Sequence, residues 1–171
     1  KLEKLKNKIR TIQDFPKPGI KFRDITTLLS DPDSFNEVLE LLTDNYKGEK
    51  IDLVAGIESR GFIIGAPLAL RLKKGFIPIR KKGKLPGITH KVEYDLEYGQ
   101  DCLEVHKDAI KNGNKVLIVD DLLATGGTMS AATKLIKKSG GIIFGYSFVI
   151  ELNDLKGRKN LNKPIFSLIN Y

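Results

Sequence analysis

The spacing of apolar positions changes several times along the chain, and each change predicts an element. In residues 1–12, Leu2, Leu5, Ile9 and Ile12 recur at roughly helical spacing with lysines between them. This predicts an amphipathic helix lying on the body or on a partner, and four apolar residues make too thin a stripe to favour a membrane surface. Residues 14–26 contain two prolines and a glycine, so they form a shaped, non-helical loop ending in Phe22, Arg23 and Asp24. Asp31, Asp33 and Ser34 offer caps for a second helix, whose buried side is Phe35, Val38, Leu39 and Leu42. From residue 51 the pattern becomes a short apolar strand, a glycine turn, a mainly apolar helix over 62–72 and a strand over 75–79. Residues 102–106 alternate like a strand that pairs in the sheet, and 115–121 form an apolar run expected of a central parallel strand covered on both faces. A helix over 128–141 turns Met129, Ala132, Leu135 and Ile136 inward, has lysines at its last turn, and is followed by a long strand. The order predicts an α/β fold: an open, mainly parallel twisted sheet flanked by helices, with right-handed crossovers.

Composition narrows the class. The chain has 171 residues, 41% hydrophobic and 29% charged, which fits one domain over 1–171 with its own core and excludes disorder, collagen and coiled coil. No apolar stretch approaches the ~20 residues that span a bilayer. The first residues lack the apolar core of a signal peptide, and Cys102 has no second cysteine to pair with, so a cytoplasmic location is expected. The net charge of +8 suits polyanionic ligands, whether nucleic acid, a membrane surface or phosphate-rich small molecules; surface lysines kept for solubility would give the same number. The position of the charge relative to the glycine turns decides.

Three unusual loops follow strands: 56–61 (GIESRG), the basic segment 80–95, and 120–128 (DDLLATGGT). In open α/β sheets ligands bind beyond the carboxyl ends of the strands, so these loops converge on one site. In the third, Gly126 and Gly127 let the backbone turn tightly and present consecutive N–H groups, Thr125 and Thr128 add hydroxyls, and the following helix adds positive charge at its N-terminus. This combination suits a phosphate monoester. Asp120 and Asp121 just upstream suit vicinal sugar hydroxyls, but adjacent side chains on a strand face opposite ways, so both serve one ligand only where the strand ends. Acids that merely cap the next helix are the plainer alternative. Neither a G-x-x-x-x-G-K-[ST] loop nor a G-x-G-x-x-G turn occurs, and the pattern points to a phosphorylated ribose rather than a nucleoside triphosphate.

The run VLIVDDLLATGGT (116–128) resembles the phosphoribosyl pyrophosphate motif of the type I phosphoribosyltransferases. FPKPGIKFRDIT, GIESRGF, RKKGKLPG, DLEYG and NDLKGRKNL extend the likeness nearly end to end, towards the adenine-using branch of that family. The resemblance implies that phosphoribosyl is transferred from phosphoribosyl pyrophosphate to adenine, giving AMP and pyrophosphate. It implies a small N-terminal hood over 1–30 and a flexible lid over 80–95. It assigns Asp120, Asp121, Ala124, Thr125, Gly126, Gly127 and Thr128 to the ribose 5-phosphate, and Glu58, Ser59, Arg60, Gly61, Arg80, Lys81 and Lys84 to pyrophosphate. Lys21, Phe22, Arg23 and Glu97 go to the base, with Phe22 stacking on it. Glu97 takes or balances the purine proton, and Glu97 and Arg60 are the catalytic pair. Mg²⁺ is expected to be carried by substrate oxygens and water, with no direct protein ligand. Lys21 and Ile57 depart from residues common in relatives and leave the detail of the base pocket open.

A homodimer is expected, because the N-terminal stripe and the 56–70 region hold more apolar surface than one small sheet covers. Nucleic acid and membrane are not expected partners. A purine-responsive regulator of the same fold is the competing class, but 171 residues leave no room for a separate DNA-binding domain. A third reading keeps the reaction and changes the base to hypoxanthine, guanine or xanthine.

Overall fold

Pattern and structure part company in the first dozen residues. The computed structural model describes residues 1–96 and 98–171. In it α1 covers only Leu2–Lys8 and buries Leu5. Ile9 is extended, and β1 (Arg10–Ile12) pairs antiparallel with β2 (Phe22–Asp24), Thr11 opposite Arg23. The helix expected through Ile12 is cut short because Arg10 reaches across this pair, its Nε 3.0 Å from Oδ2 of the buried Asp24. Helix propensity in a lysine-rich stripe is a weak preference, and a strand partner with an ion pair overrides it. Leu2 and Ile12 are left exposed.

After the single turn α2 (Thr26–Leu29), α3 (Pro32–Tyr46) begins as the sequence suggests. Asp31 accepts the Ser34 N–H at 3.3 Å, and Pro32 sits in the first turn, where no donor is needed. Val38, Leu39, Leu42 and Tyr46 turn inward, with Phe35 packed at their margin.

The seven-stranded sheet runs β5-β6-β4-β3-β7-β8-β9. Its strands are β3 (Leu53–Ile57), β4 (Gly75–Lys81), β5 (Thr89–Asp95), β6 (Gln100–His106), β7 (Lys115–Leu123), β8 (Ile142–Glu151) and β9 (Ile165–Asn170). Strands β4, β3, β7, β8 and β9 are mutually parallel; β5 and β6 are antiparallel additions at one edge. Two crossover helices, α4 (Arg60–Leu72) and α5 (Gly127–Lys138), lie on opposite faces and divide the apolar residues into two cores. Along β7, Leu117 and Val119 face the α3/α4 core while Val116 and Ile118 face the α5 core, so one run without polar breaks serves both sides.

Two further differences from the sequence reading matter for the site. The second half of the 80–95 segment is β5, paired along its length with β6; that likewise places the chain reversal between β4 and β5 at 82–88. The local pattern does not predict strand β9, whose six residues follow two short 3-10 turns, Asn153–Leu155 and Gly157–Asn160, with no turn dipeptide to frame it.

Candidate active site

β7 does not stop at its acids. It remains paired with β8 through Leu123, so Asp120 and Asp121 lie within the strand and not at its end, with their carboxyl groups close together. Asp120 lines a cavity of about 100 Å³ shared with Leu122–Met129 and Phe148, enough for several waters or one phosphoryl group. Asp121 does not line it; it is 3% exposed, beneath Arg60. The expectation that the strand ends at the acids is therefore corrected: the loop departs three residues later, and one acid faces the cavity while the other holds a cation.

The 124–128 turn is built as its glycines predict. Gly126 caps α5 with φ of 85°, and the first bond of the helix runs from Ser130 N–H to the Gly126 carbonyl at 2.8 Å. The N–H groups of Gly127, Thr128 and Met129 precede that bond and belong to the donors a helix leaves free at its start. Ala124, Thr125, Gly126, Gly127 and Thr128 all line the cavity.

Arg60 ties this strand end to the hood. Its Nε is 3.0 Å from Asp121 Oδ2, off-line for a hydrogen bond, so the contact is charge against charge and that buried oxygen has no hydrogen-bond donor among the described residues. Its guanidinium carbon lies 5.1 Å from the centre of the Phe22 ring, and Phe22 meets Phe15 edge-on at 5.2 Å. Gly61 follows, packed so closely on β7 that a Cβ there would lie 3.0 Å from the Val119 carbonyl oxygen and 3.1 Å from Asp120 Oδ1. The 60–61 turn and the two acids thus touch directly.

Glu58 faces β4. Its Oε1 accepts the Lys81 N–H at 2.6 Å and lies 3.3 Å from Arg80 Nε, while Arg80 also covers the Phe62 ring. The Glu58–Ser59 peptide is cis, and Ser59 is exposed beside it. Lys81 sends its ammonium to Asp101, a partner the sequence reading missed, and that hydrogen bond raises the Lys81 pKa. Its side chain is thereby turned to β6. Lys84 is exposed and has no ion pair among the described residues. Of the base residues, Phe22 is half-buried, Lys21 is exposed, and the Arg23 guanidinium stacks 3.9 Å from the Tyr171 ring centre and donates to Thr11. Glu97 lies outside the described residues. Burial, then the charge of Asp121, pushes the Asp120 carboxyl well above the usual range.

Among the described residues there is no group of three or more metal-ligating side chains. The donors at the strand end are Asp120 and Asp121, the latter already opposed by Arg60. Such a set suits a hard cation that keeps its waters and takes oxygens from a ligand. No helix among the described residues is long and apolar enough to cross a membrane.

Comparison with known proteins fits this geometry. Residues 24–169 match the family model for the phosphoribosyl transferase domain. An adenine phosphoribosyltransferase of Nostoc punctiforme is 60% identical over 170 residues, 98% of this chain and 99% of that protein. The crystal structure of adenine phosphoribosyltransferase from Thermoanaerobacter pseudethanolicus superposes with a TM-score of 0.97 at 54% identity, covering all of both chains. The Saccharomyces cerevisiae enzyme, solved with an imino-altritol bisphosphate and adenine, gives a TM-score of 0.92 at 42% identity, covering 98% of this chain and 97% of that one.

Proposed function

Since the chain belongs to the phosphoribosyltransferase family, we propose that it joins adenine to phosphoribosyl pyrophosphate, releasing pyrophosphate and forming AMP. The observation that carries this reading is the placement of Arg60 between Asp121 and Phe22, a cation suited to a phosphate leaving group and a ring able to stack on a base, beside the cavity that Asp120 lines.

The reaction breaks the bond from the anomeric carbon to the pyrophosphate oxygen and forms one to a ring nitrogen of adenine. The 124–128 amides grip the 5′-phosphate, which takes no part in the chemistry, so its binding energy orients the reacting carbon. Asp120 accepts from the ribose diol. Arg60, a planar fork suited to phosphate oxygens, meets the charge that develops on the leaving group. Arg80 and Lys84 add charge when the 82–88 reversal closes on the substrate and excludes water. Lys81 has the same role once it exchanges Asp101 for the ligand. Phe22 stacks on the purine, and Glu97 takes the proton that adenine gives up. Asp120 or Asp121 would stand beside a bound Mg²⁺, which would supply neutralisation of the charge on the departing group.

The purified chain should form AMP from adenine and phosphoribosyl pyrophosphate, lose that activity on chelation of divalent cations and regain it with Mg²⁺. A panel of adenine, hypoxanthine, guanine and xanthine reads the base. Turnover of another purine in preference to adenine would overturn the base assignment, and DNA binding without turnover would favour the regulator.

The raised Asp120 pKa gives a pH signature. The ionised carboxylate accepts from the diol, and that ability is lost as pH falls through the raised value. The KM for phosphoribosyl pyrophosphate should therefore climb on acidification at higher pH than an ordinary aspartate, near 4, would allow. Asp120→Asn should have a higher KM throughout and no such acid limb.

A homodimer is the matching assembly. On α4, Ile63 and Leu70 are exposed at 43% and 78%, with Ala66 and Pro67 between them on the same side of the helix. Sedimentation should find a dimer, and Leu70→Asp should shift it towards monomer; a wild-type monomer at micromolar concentration would refute the assembly. A reducing, cytoplasmic setting agrees with Cys102 being a buried free thiol.

A further inference from the structure

The turn that follows β7 rests on backbone from more than thirty residues further along. A Cβ on Gly157 would stand 2.3 Å from the Ala124 carbonyl oxygen, and one on Gly126 would stand 2.7 Å from the Gly157 carbonyl oxygen. Asn160 completes the contact, its Nδ2 donating to the Thr125 carbonyl oxygen at 2.7 Å. The supporting segment is itself anchored. Arg158 makes paired hydrogen bonds of 2.7 Å to the two oxygens of Glu151, a residue 4% exposed at the end of β8, and Ser167 on β9 donates to the same carboxylate. Leu152 N–H bonds the Leu123 carbonyl at 3.0 Å, joining this support to the last residue of β7.

In a trans peptide the carbonyl and the following N–H point in opposite directions. A donor fixed on the Thr125 oxygen therefore turns the Gly126 N–H away from Asn160. The cavity is lined by Leu122–Met129 and not by Gly157 or Asn160, so it opens on that far side.

We propose that Asn160 is a positioning residue for the phosphate site: anchored by Gly157 and the Glu151–Arg158–Ser167 cluster, it holds the Thr125–Gly126 peptide with its N–H towards the ligand before the ligand arrives. The proposal rests on the phosphate-binding role assigned above to the 124–128 turn. It predicts an effect confined to ligands that carry the 5′-phosphate, because the Asn160 hydrogen bond acts on the Thr125 carbonyl within the 124–128 turn.

Asn160→Ala removes the donor, and Asn160→Leu removes it while keeping similar bulk. Ribose 5-phosphate binding, read by calorimetry, should weaken roughly 3- to 10-fold in both variants, the scale of one lost hydrogen bond. The KM for phosphoribosyl pyrophosphate should rise in parallel. The KM for adenine at saturating phosphoribosyl pyrophosphate, kcat and the melting temperature should stay near wild type. Ribose 5-phosphate affinity within twofold of wild type in both variants would overturn the proposal. So would wild-type behaviour of Asn160→Leu alone, since bulk and not the donor would then matter, or an equal rise in both KM values. A wild-type chain that binds ribose 5-phosphate but makes no AMP would refute the enzymatic reading, and the binding comparison would still decide the role of Asn160.

Discussion

Replacing Arg60 by alanine is expected to lower kcat/KM for phosphoribosyl pyrophosphate by about a thousandfold, the upper scale for removing one preorganised donor from a developing anion. The same change strips the cation from Asp121, whose buried Oδ2 has no hydrogen-bond partner among the described residues. Leaving a buried charge without its partner is costly, but the Arg60 side chain is 39% exposed and water screens the pair, so the stability loss should be about 1–2 kcal/mol rather than the full buried-pair value. The two effects separate in a double variant. Asp121→Asn added to Arg60→Ala should recover most of the stability, read by urea denaturation, and none of the rate. Arg60→Lys keeps the charge without the fork and should restore only part of the activity. If Arg60→Ala folds and turns over like wild type, the leaving-group assignment is wrong.

Gly126→Val is expected to abolish measurable use of phosphoribosyl pyrophosphate, with KM rising at least about a hundredfold, and to destabilise the fold by about 3 kcal/mol. Two independent features act there. The φ of 85° disfavours any β-branched residue, and a Cβ would meet the Gly157 carbonyl oxygen at 2.7 Å, which is backbone and gives way only if the 157–160 turn moves. Gly127 next to it is the control. Its nearest neighbour to an added Cβ is Thr125 Oγ1 at 3.8 Å, and its φ is not positive, so Gly127→Ala should keep wild-type stability. Any loss of affinity in Gly127→Ala then reports crowding of the ligand and not damage to the turn. Kinetics and denaturation on the two variants check both statements; Gly126→Val with wild-type KM would remove the turn from the site.

Elements set by neighbouring residues and elements set by distant ones differ in the range of the interactions involved. The capped start of α3, the apolar run of β7 and the inward face of α5 followed from neighbouring residues, because caps, strand alternation and helical period act within a few positions. The short α1 did not, because the Arg10–Asp24 pair spans fourteen residues. Nor did the pairing of Lys81 with Asp101, which depends on β6 lying beside β4, or the docking of Gly157 on Ala124. The NDLKGRKNL segment was legible as part of a resemblance, yet nothing in its local chemistry announces that Asn160 reaches Thr125.

By itself the amino-acid order determined that a buried strand carries two acids, that a glycine turn with hydroxyls follows, and that a helix then begins; these are consecutive residues, and their geometry is set by bonds and neighbours. Only the packed chain decided which acid faces the cavity, which cation sits on the other, and what supports the turn. The side of a strand that becomes a site depends on where it ends relative to its partners, and β7 runs on to Leu123 because β8 remains beside it.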